Sequence, residues 1–570
     1  ALHPDEHAAE VLSHLLGAGK ASRLYRELKE RAGLVHDIST GYYALPSVGT
    51  FYIEAELDAE KIDQARRSVF REIERVKRQP PDAAELERIK ARIEYAFLAS
   101  MEDVSGQANN LAYYESLGDY NLLNEYVARL RAVTPEAVQR AAAQYLQIEK
   151  AAIQELRPPD KTDDTTADSV EQSLREAVAE LQPAPAAGAP AAKPALAIPA
   201  PAKDAPAQVL TLSNGVTVIV KQRPRLPLVS AGIYFPGGRW AETPDTAGLT
   251  SLMLNASLKG TKTRSAEDIQ NQIEGLGASL SASALPDYSA WVFSSLSRNF
   301  APALDILADV VLNPSFPDDE IAKERDSQIA QIVKTRDSMF NYPFILARSA
   351  AFGDHPYGLP ANGTTETVAA LTREQVAAAW KSLGNAEGAV IVIVGDISAH
   401  AAVELLESKF ASLPRGEARL APPPPPPMAA REIVDLRNKS QTAQAFVLPA
   451  PDAAHPGAPA FTVLRNVASG MGGRLYDEVR EKRNLAYTVA AYLELNQLGG
   501  AVINYAATSP ENERQARELM LAEWDKMARG EISAEEFENA ARFTIGIYQI
   551  QLQANADLRA QYARNAFLGR

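Results

Sequence analysis

The sequence predicts an α+β fold made of repeated units, each a mixed or antiparallel sheet packed against long helices. Three observations predict it. Short strand-like runs sit beside long amphipathic stretches in each part of the chain. A block near the N-terminus recurs near the C-terminus. Two proline-rich runs divide the 570 residues into parts, a length that itself implies several domains.

In chain order, residues 5–18 (DEHAAEVLSHLLGA) and 22–32 (SRLYRELKERA) predict helices, the first opened by Pro4. Residues 36–43 and 49–56 predict strands, the second (GTFYIEAE) with good β propensity. Helices are expected at 60–79, 83–118 and 134–146, and a closing strand at 151–156 (AAIQEL). Residues 1–157 are thus the first unit. Residues 158–206 contain a short helical candidate (171–182) but are largely polar or Pro/Ala-rich, a composition that buries no core and acts as a spacer.

The next unit, 207–415, opens with VLTLSNGVTVIVKQ, where Asn214-Gly215 marks a hairpin. Strands are expected at 228–235, 278–285, 288–297 and 388–396. Helices are expected at 248–261, 265–275, 300–312, 318–337, 341–352, 372–383 and 399–411. Residues 416–428, including Pro422 to Pro427, form a stiffer spacer. Residues 429–570 are the last unit, with a strand at 441–450.

That last unit repeats the first. Arg23-Leu24-Tyr25 recurs as Arg474-Leu475-Tyr476, an offset of 451 residues, and residues 27–39 match 478–490 without a gap. So much matched order at one offset is an internal duplication. By that offset the second copy would extend past Arg570, and the first lacks the strand that 441–450 supplies to the second. Together with an initial Ala1 and no visible signal peptide, this predicts a fragment cut at both ends. The unit at 207–415 has no partner copy, so one is expected before residue 1.

Composition excludes several classes. A net charge of −14 argues against nucleic acid, which needs a basic patch. No apolar run reaches the ~20 residues of a membrane span. The absence of cysteine removes disulfides, thiolate metal sites and thiol nucleophiles.

The stretch GLTSLMLNASLKGT (248–261) sets Ser251 and Asn255 four apart on one helix face, with Leu254 beside them. With His at the first two positions and Glu at Leu254 it would read H-x-x-E-H, a zinc motif. This segment, with GLGASL, the later HPYG and VGD, and the two R-L-Y blocks, resembles the pitrilysin/insulinase family of zinc peptidases. The resemblance implies a clamshell of two halves. It implies zinc held by two His and a more distant Glu, with a second Glu activating the bound water. Carried onto this sequence, the ligand positions are Ser251, Asn255 and Gln331, and the general-base position is Leu254; all four depart from the pattern, so no zinc is expected on this chain.

The resemblance further implies an Arg and a Tyr seven residues apart that hold substrate carbonyls and the tetrahedral oxyanion. The last unit has Arg480 and Tyr487; the first has Lys29 and His36 at those positions. The expectation is a zinc-dependent endopeptidase acting on peptides, in which this segment supplies substrate contacts. Zinc would come from a missing N-terminal domain or a zinc-bearing family partner, and the segment alone would be inactive. The alternative is a non-catalytic family member, a peptide-binding or scaffold subunit. Composition suits a bacterial periplasm, with cytoplasm the other compartment.

Other patterns carry less. His7, Glu10 and His14 share a helix but lack a third ligand. GAGKAS (17–22) lacks the spacing and hydroxyl of a phosphate loop.

Overall fold

A computed structural model describes residues 3–46, 48–157, 166–181, 204–415, 420–428, 430–470 and 472–570. The first unit opens with helix Glu6–Gly17, then a π-helical turn Tyr25–Arg31, then antiparallel strands β1 (Asp37–Ala44) and β2 (Gly49–Glu56). Helix Ile62–Arg78 buries Phe70, Ile73 and Val76, at the spacing an amphipathic face requires, in the same core as Leu12, Leu15 and Leu16 of the first helix, and packs beside helix Pro135–Tyr145.

Three expectations change here. The single helix expected at 83–118 is two, Ala83–Ser100 and Val104–Ser116, because Asp103 caps the second by accepting from the Gly106 amide at 2.7 Å. A Cβ at Gly106 would lie 1.8 Å from the Ser100 carbonyl oxygen, so only glycine fits that close turn. Residues 151–156 carry no strand pairing. And the helix Ala167–Ala179, inside the expected spacer, docks on Ile62–Arg78, burying Ser173 and Ala177 with Arg67 paired to Glu176 at 2.7 Å. The Pro/Ala-rich run at 182–203 lies outside the described residues.

The middle unit is one six-stranded sheet. Its strands are β3 (Gln208–Thr211), β4 (Thr217–Gln222), β5 (Leu228–Pro236), β6 (Ser279–Ala284), β7 (Tyr288–Leu296) and β8 (Val390–Gly395). They lie in the order β3-β4-β8-β5-β7-β6, with β4 and β8 parallel and other neighbours antiparallel. β8 is buried along its whole length, which a two-faced burial demands. Ile391 and Ile393 share one core with Leu252 and Leu254 of helix Leu249–Ser257 and Leu304 and Leu307 of helix Phe300–Leu312. Val392 and Val394 face helix Asn555–Phe567, which comes from the last unit. There Arg559 donates to the Tyr234 hydroxyl at 2.9 Å and to Ser230 Oγ at 2.8 Å.

The last unit holds β9 (Thr442–Ala450), β10 (Ala486–Asn496) and β11 (Gly499–Thr508) in the order β10-β11-β9, all antiparallel. One face packs on its own helices; the other is covered by helix Asn341–Phe352 of the middle unit, with Phe344 stacked on Tyr505 at 5.6 Å. The hairpin tip is gripped by the middle unit's Asp287, whose carboxylate accepts from the Gln497 amide at 2.9 Å and from the Tyr357 hydroxyl. The proline run lies along this seam rather than spanning open space: His355 Nε2 is 3.1 Å from the Pro424 carbonyl oxygen.

The duplication is visible in three dimensions. The second π-helical turn, Tyr476–Glu481, starts 451 residues after the first. π-helices are rare, so two at one offset are a strong mark of common descent. Strand registers agree too: Asp37 faces Glu56 as Thr488 faces Ala507. What covers the copies differs. Tyr43 and Tyr52 stand exposed on β1 and β2, and helix Val104–Ser116, the match of Asn555–Phe567, buries no residue. The first unit meets the middle one where helix Ala83–Ser100 packs on helix Ala266–Gly275, with Arg88 donating to Asn271 at 3.3 Å, and at Glu94, which accepts paired hydrogen bonds from Arg131 and Arg298. No helix among the described residues is long and apolar enough to cross a membrane.

Candidate functional site

Arg480 lies in the π-helical turn Tyr476–Glu481. The widened winding sets Tyr476 and Arg480, four residues apart, on one side. The turn closes with the Asn484 amide on the Arg480 carbonyl at 2.8 Å and the Leu485 amide on the Val479 carbonyl at 2.9 Å. Asn484 takes a left-handed conformation, φ 50°, which suits Asn better than most residues and reverses the chain into β10. Tyr487 is thereby brought back over Arg480.

The result is a guanidinium between two rings. Its central carbon is 4.9 Å from the Tyr476 ring centroid and 4.7 Å from that of Tyr487. Arg480 Nε is 3.8 Å from a Glu481 carboxylate oxygen, and no hydrogen bond to its guanidinium is formed among the described residues. Tyr487 is 76% exposed. The neighbouring Glu481 carboxylate holds the Tyr476 pKa above the ordinary value. Stacking engages the faces of a guanidinium and leaves its in-plane N–H edge for an oxygen acceptor.

The first copy differs in detail. Lys29 Nζ lies over the Tyr25 ring at 4.9 Å and 3.5 Å from Asp37. His36 turns to Asp58, 3.1 Å away.

The helix Leu249–Ser257 is entered through Gly248 at φ 91°, where a Cβ would lie 2.6 Å from the Asn362 carbonyl oxygen. Its first amides are met by the buried Glu242 carboxylate, from Thr250 at 2.9 Å and Gly248 at 3.3 Å. Burial pushes the Glu242 pKa up, against the pull of Arg239. Ser251 donates its hydroxyl to the Ala361 carbonyl at 2.8 Å. Leu254 is 1% exposed and part of the core, while Asn255 is exposed. Gln331 is exposed and donates to Thr335 at 3.2 Å. The amide that reaches this helix from Asp318–Asp337 is Gln328, three residues earlier, donating to the Gly248 carbonyl at 3.0 Å and the Asn362 carbonyl at 2.9 Å.

A spent hydroxyl, neutral amides and an alkyl chain do not fit zinc, which takes imidazole, thiolate or carboxylate. Among the described residues no three His, Asp or Glu side chains gather as a metal site. His7 pairs with Glu10 at 3.5 Å, and Glu10 also accepts from the Tyr126 hydroxyl at 2.6 Å. His14 is held neutral by burial, its pKa pushed down to about 4. Both are packing residues.

The family model described as peptidase M16 inactive domain matches residues 1–93 and 370–543, and that described as insulinase (peptidase family M16) matches 217–365. A Bacillus subtilis protein named an uncharacterized zinc protease, YmxG, is 25% identical over 363 residues, covering 63% of this chain and 87% of the relative. A Mycobacterium bovis uncharacterized zinc protease is 29% identical over 331 residues, covering 57% and 76%. Among solved structures, a peptidase M16 inactive domain from Pseudomonas fluorescens aligns with a TM-score of 0.59 at 24% identity, covering 64% of this chain and 88% of that one. A Helicobacter pylori protease aligns with a TM-score of 0.59 at 19% identity, covering 65% and 90%.

Proposed function

Because the chain belongs to the insulinase/pitrilysin (M16) family of peptidases, whose relatives are named zinc proteases, we propose that it is the metal-free part of a zinc-dependent endopeptidase. In this reading Arg480 and Tyr487 bind the peptide. Their donors hold a substrate carbonyl oxygen and strengthen their hold as negative charge grows on it during attack. The zinc belongs to another unit of the family, on the same polypeptide or on a partner chain. Helix Leu249–Ser257 is a packed scaffold, because Leu254 is a core residue and Ser251 a bonded one.

The observation that carries this reading is the Arg480 guanidinium, its central carbon 4.9 and 4.7 Å from two tyrosine ring centroids and, among the described residues, with no hydrogen bond spent. The uncovered faces of the first unit add to it. Tyr43, Tyr52 and helix Val104–Ser116 match surfaces that, in the second copy, seat a six-stranded unit. A metal-bearing unit of the middle type would find both seats open.

A second reading, a peptide-binding or scaffold subunit without catalysis, is favoured by the loss of every metal-type side chain at 251, 254, 255 and 331. Peptide cleavage by the complete gene product separates them. Zinc-dependent turnover that falls about a hundredfold in Arg480→Ala supports the first reading. Peptide binding without turnover supports the second, and unchanged turnover in Arg480→Ala overturns the role given to Arg480.

A further inference from the structure

We infer that Tyr476 is a positioning residue for Arg480, the second wall that holds its guanidinium edge-on to a bound peptide; the consequence for peptide rests on the reading above, the positioning itself does not. Tyr487 alone would leave the guanidinium free to rotate away from its single ring, since no hydrogen bond to it is formed among the described residues and its ion pair with Glu481, 3.8 Å from Nε, is long and solvent-exposed. Tyr476 adds a second ring, its centroid 4.9 Å from the guanidinium carbon.

The arrangement comes from the backbone. The same winding in the first copy sets Lys29 over Tyr25, also at 4.9 Å, although Lys29 has no tyrosine on its other side. A π-helical turn is thus retained in both copies where it aligns a tyrosine with a cation four residues on, and π-turns of this kind concentrate at functional positions. Only in the second copy does a second ring reach the cation.

The test uses the full 570-residue chain carrying 15N-labelled arginine, with the Arg480 side-chain signal assigned from Arg480→Lys, and a fluorescein-labelled casein digest as the peptide probe. Stacking between two rings shifts the Arg480 Nε proton upfield. Tyr476→Leu should move that signal downfield and weaken peptide binding roughly fivefold, the size expected of one exposed cation–π contact. Tyr476→Phe should keep the shift and most of the affinity. Tyr25→Leu, the matching change in the first copy, serves as a folding control and should alter neither. If Tyr476→Leu leaves the Arg480 signal in place, the positioning is overturned. If the signal moves but neither Tyr476→Leu nor Arg480→Ala weakens binding, Tyr476 positions Arg480 but the peptide-binding reading fails.

Discussion

Arg474 grips the Glu536 carboxylate with two hydrogen bonds, at 2.6 and 2.9 Å, and Arg23 grips Glu85 in the same way at 3.0 and 2.6 Å. Both pairs are 62 residues apart and sit at the same offset in the two copies. In each, the Arg of the R-L-Y block ties the start of the π-helical turn to the first turn of a long helix. The forked pair is therefore what fixes the platform on which Arg480 stands.

Arg474→Ala should lower the unfolding free energy of the last unit by about 2 kcal/mol, the usual worth of a partly buried charged hydrogen-bond pair. Arg474→Lys should recover less than half of that, since an ammonium cannot make the fork. Urea titration followed by tryptophan fluorescence measures both, because Trp524 lies in this core.

The same pair should show in acid. The hydrogen bond from Arg474 holds the Glu536 pKa down to about 2 against an ordinary value of 4.5. A depressed carboxylate contributes stability that is complete above the unfolded-state pKa and is lost as pH falls through the folded one. Unfolding midpoints should therefore fall as pH drops from 4.5 toward 2. Glu536→Gln should lower the midpoint at neutral pH and flatten that part of the profile.

Glu94 should control the joint between the first and middle units. Burial raises its pKa, but the hydrogen bonds from Arg298 and Arg131 outweigh this and hold it below the ordinary value. Glu94→Ala leaves two guanidinium groups at the joint without their acceptor and should cost roughly 3 kcal/mol. Limited proteolysis at the joint is the direct readout, and the double change Glu94→Gln with Arg298→Leu should lose less than Glu94→Ala.

Leu254→Glu should destabilise the middle unit by about 4 kcal/mol, since it places a carboxylate in an apolar core with no partner. Ser251→His and Asn255→His lie at the margin of that core and should cost less than about 1 kcal/mol each. Thermal melting of the three variants checks the order.

Arg480→Ala and Lys29→Ala should differ sharply in peptide cleavage by the complete protein. The first should reduce kcat/KM roughly a hundredfold, the second less than about twofold, because Lys29 is paired with Asp37 and its companion His36 with Asp58.

Much was legible from residues alone. Hairpins, helices and the duplication follow from local periodicity and matched order, and these depend on neighbours in sequence. Arg480 and Tyr487 are singled out only by the family resemblance, which places an Arg and a Tyr at those positions. Three features were not legible. Sequence offers Gln328 and Gln331 as near neighbours on one helix, and only packing selects Gln328 to reach Gly248. Tyr476 looks like part of a repeated block until the π-winding puts it over Arg480. The helix Ala167–Ala179 looks like spacer until its small residues meet Ile62–Arg78.

By itself, then, the sequence determined the α+β class, the repeated unit and the absence of metal-type side chains at positions 251, 254, 255 and 331. These are properties of residue type and period. Tertiary structure alone decided that Asn555–Phe567 covers the middle sheet, that Asp287 holds the hairpin tip at Gln497, and that Arg480 is held between two rings. Each of these joins residues through an unusual backbone winding or across units far apart in the chain, where no local pattern records which surfaces will meet.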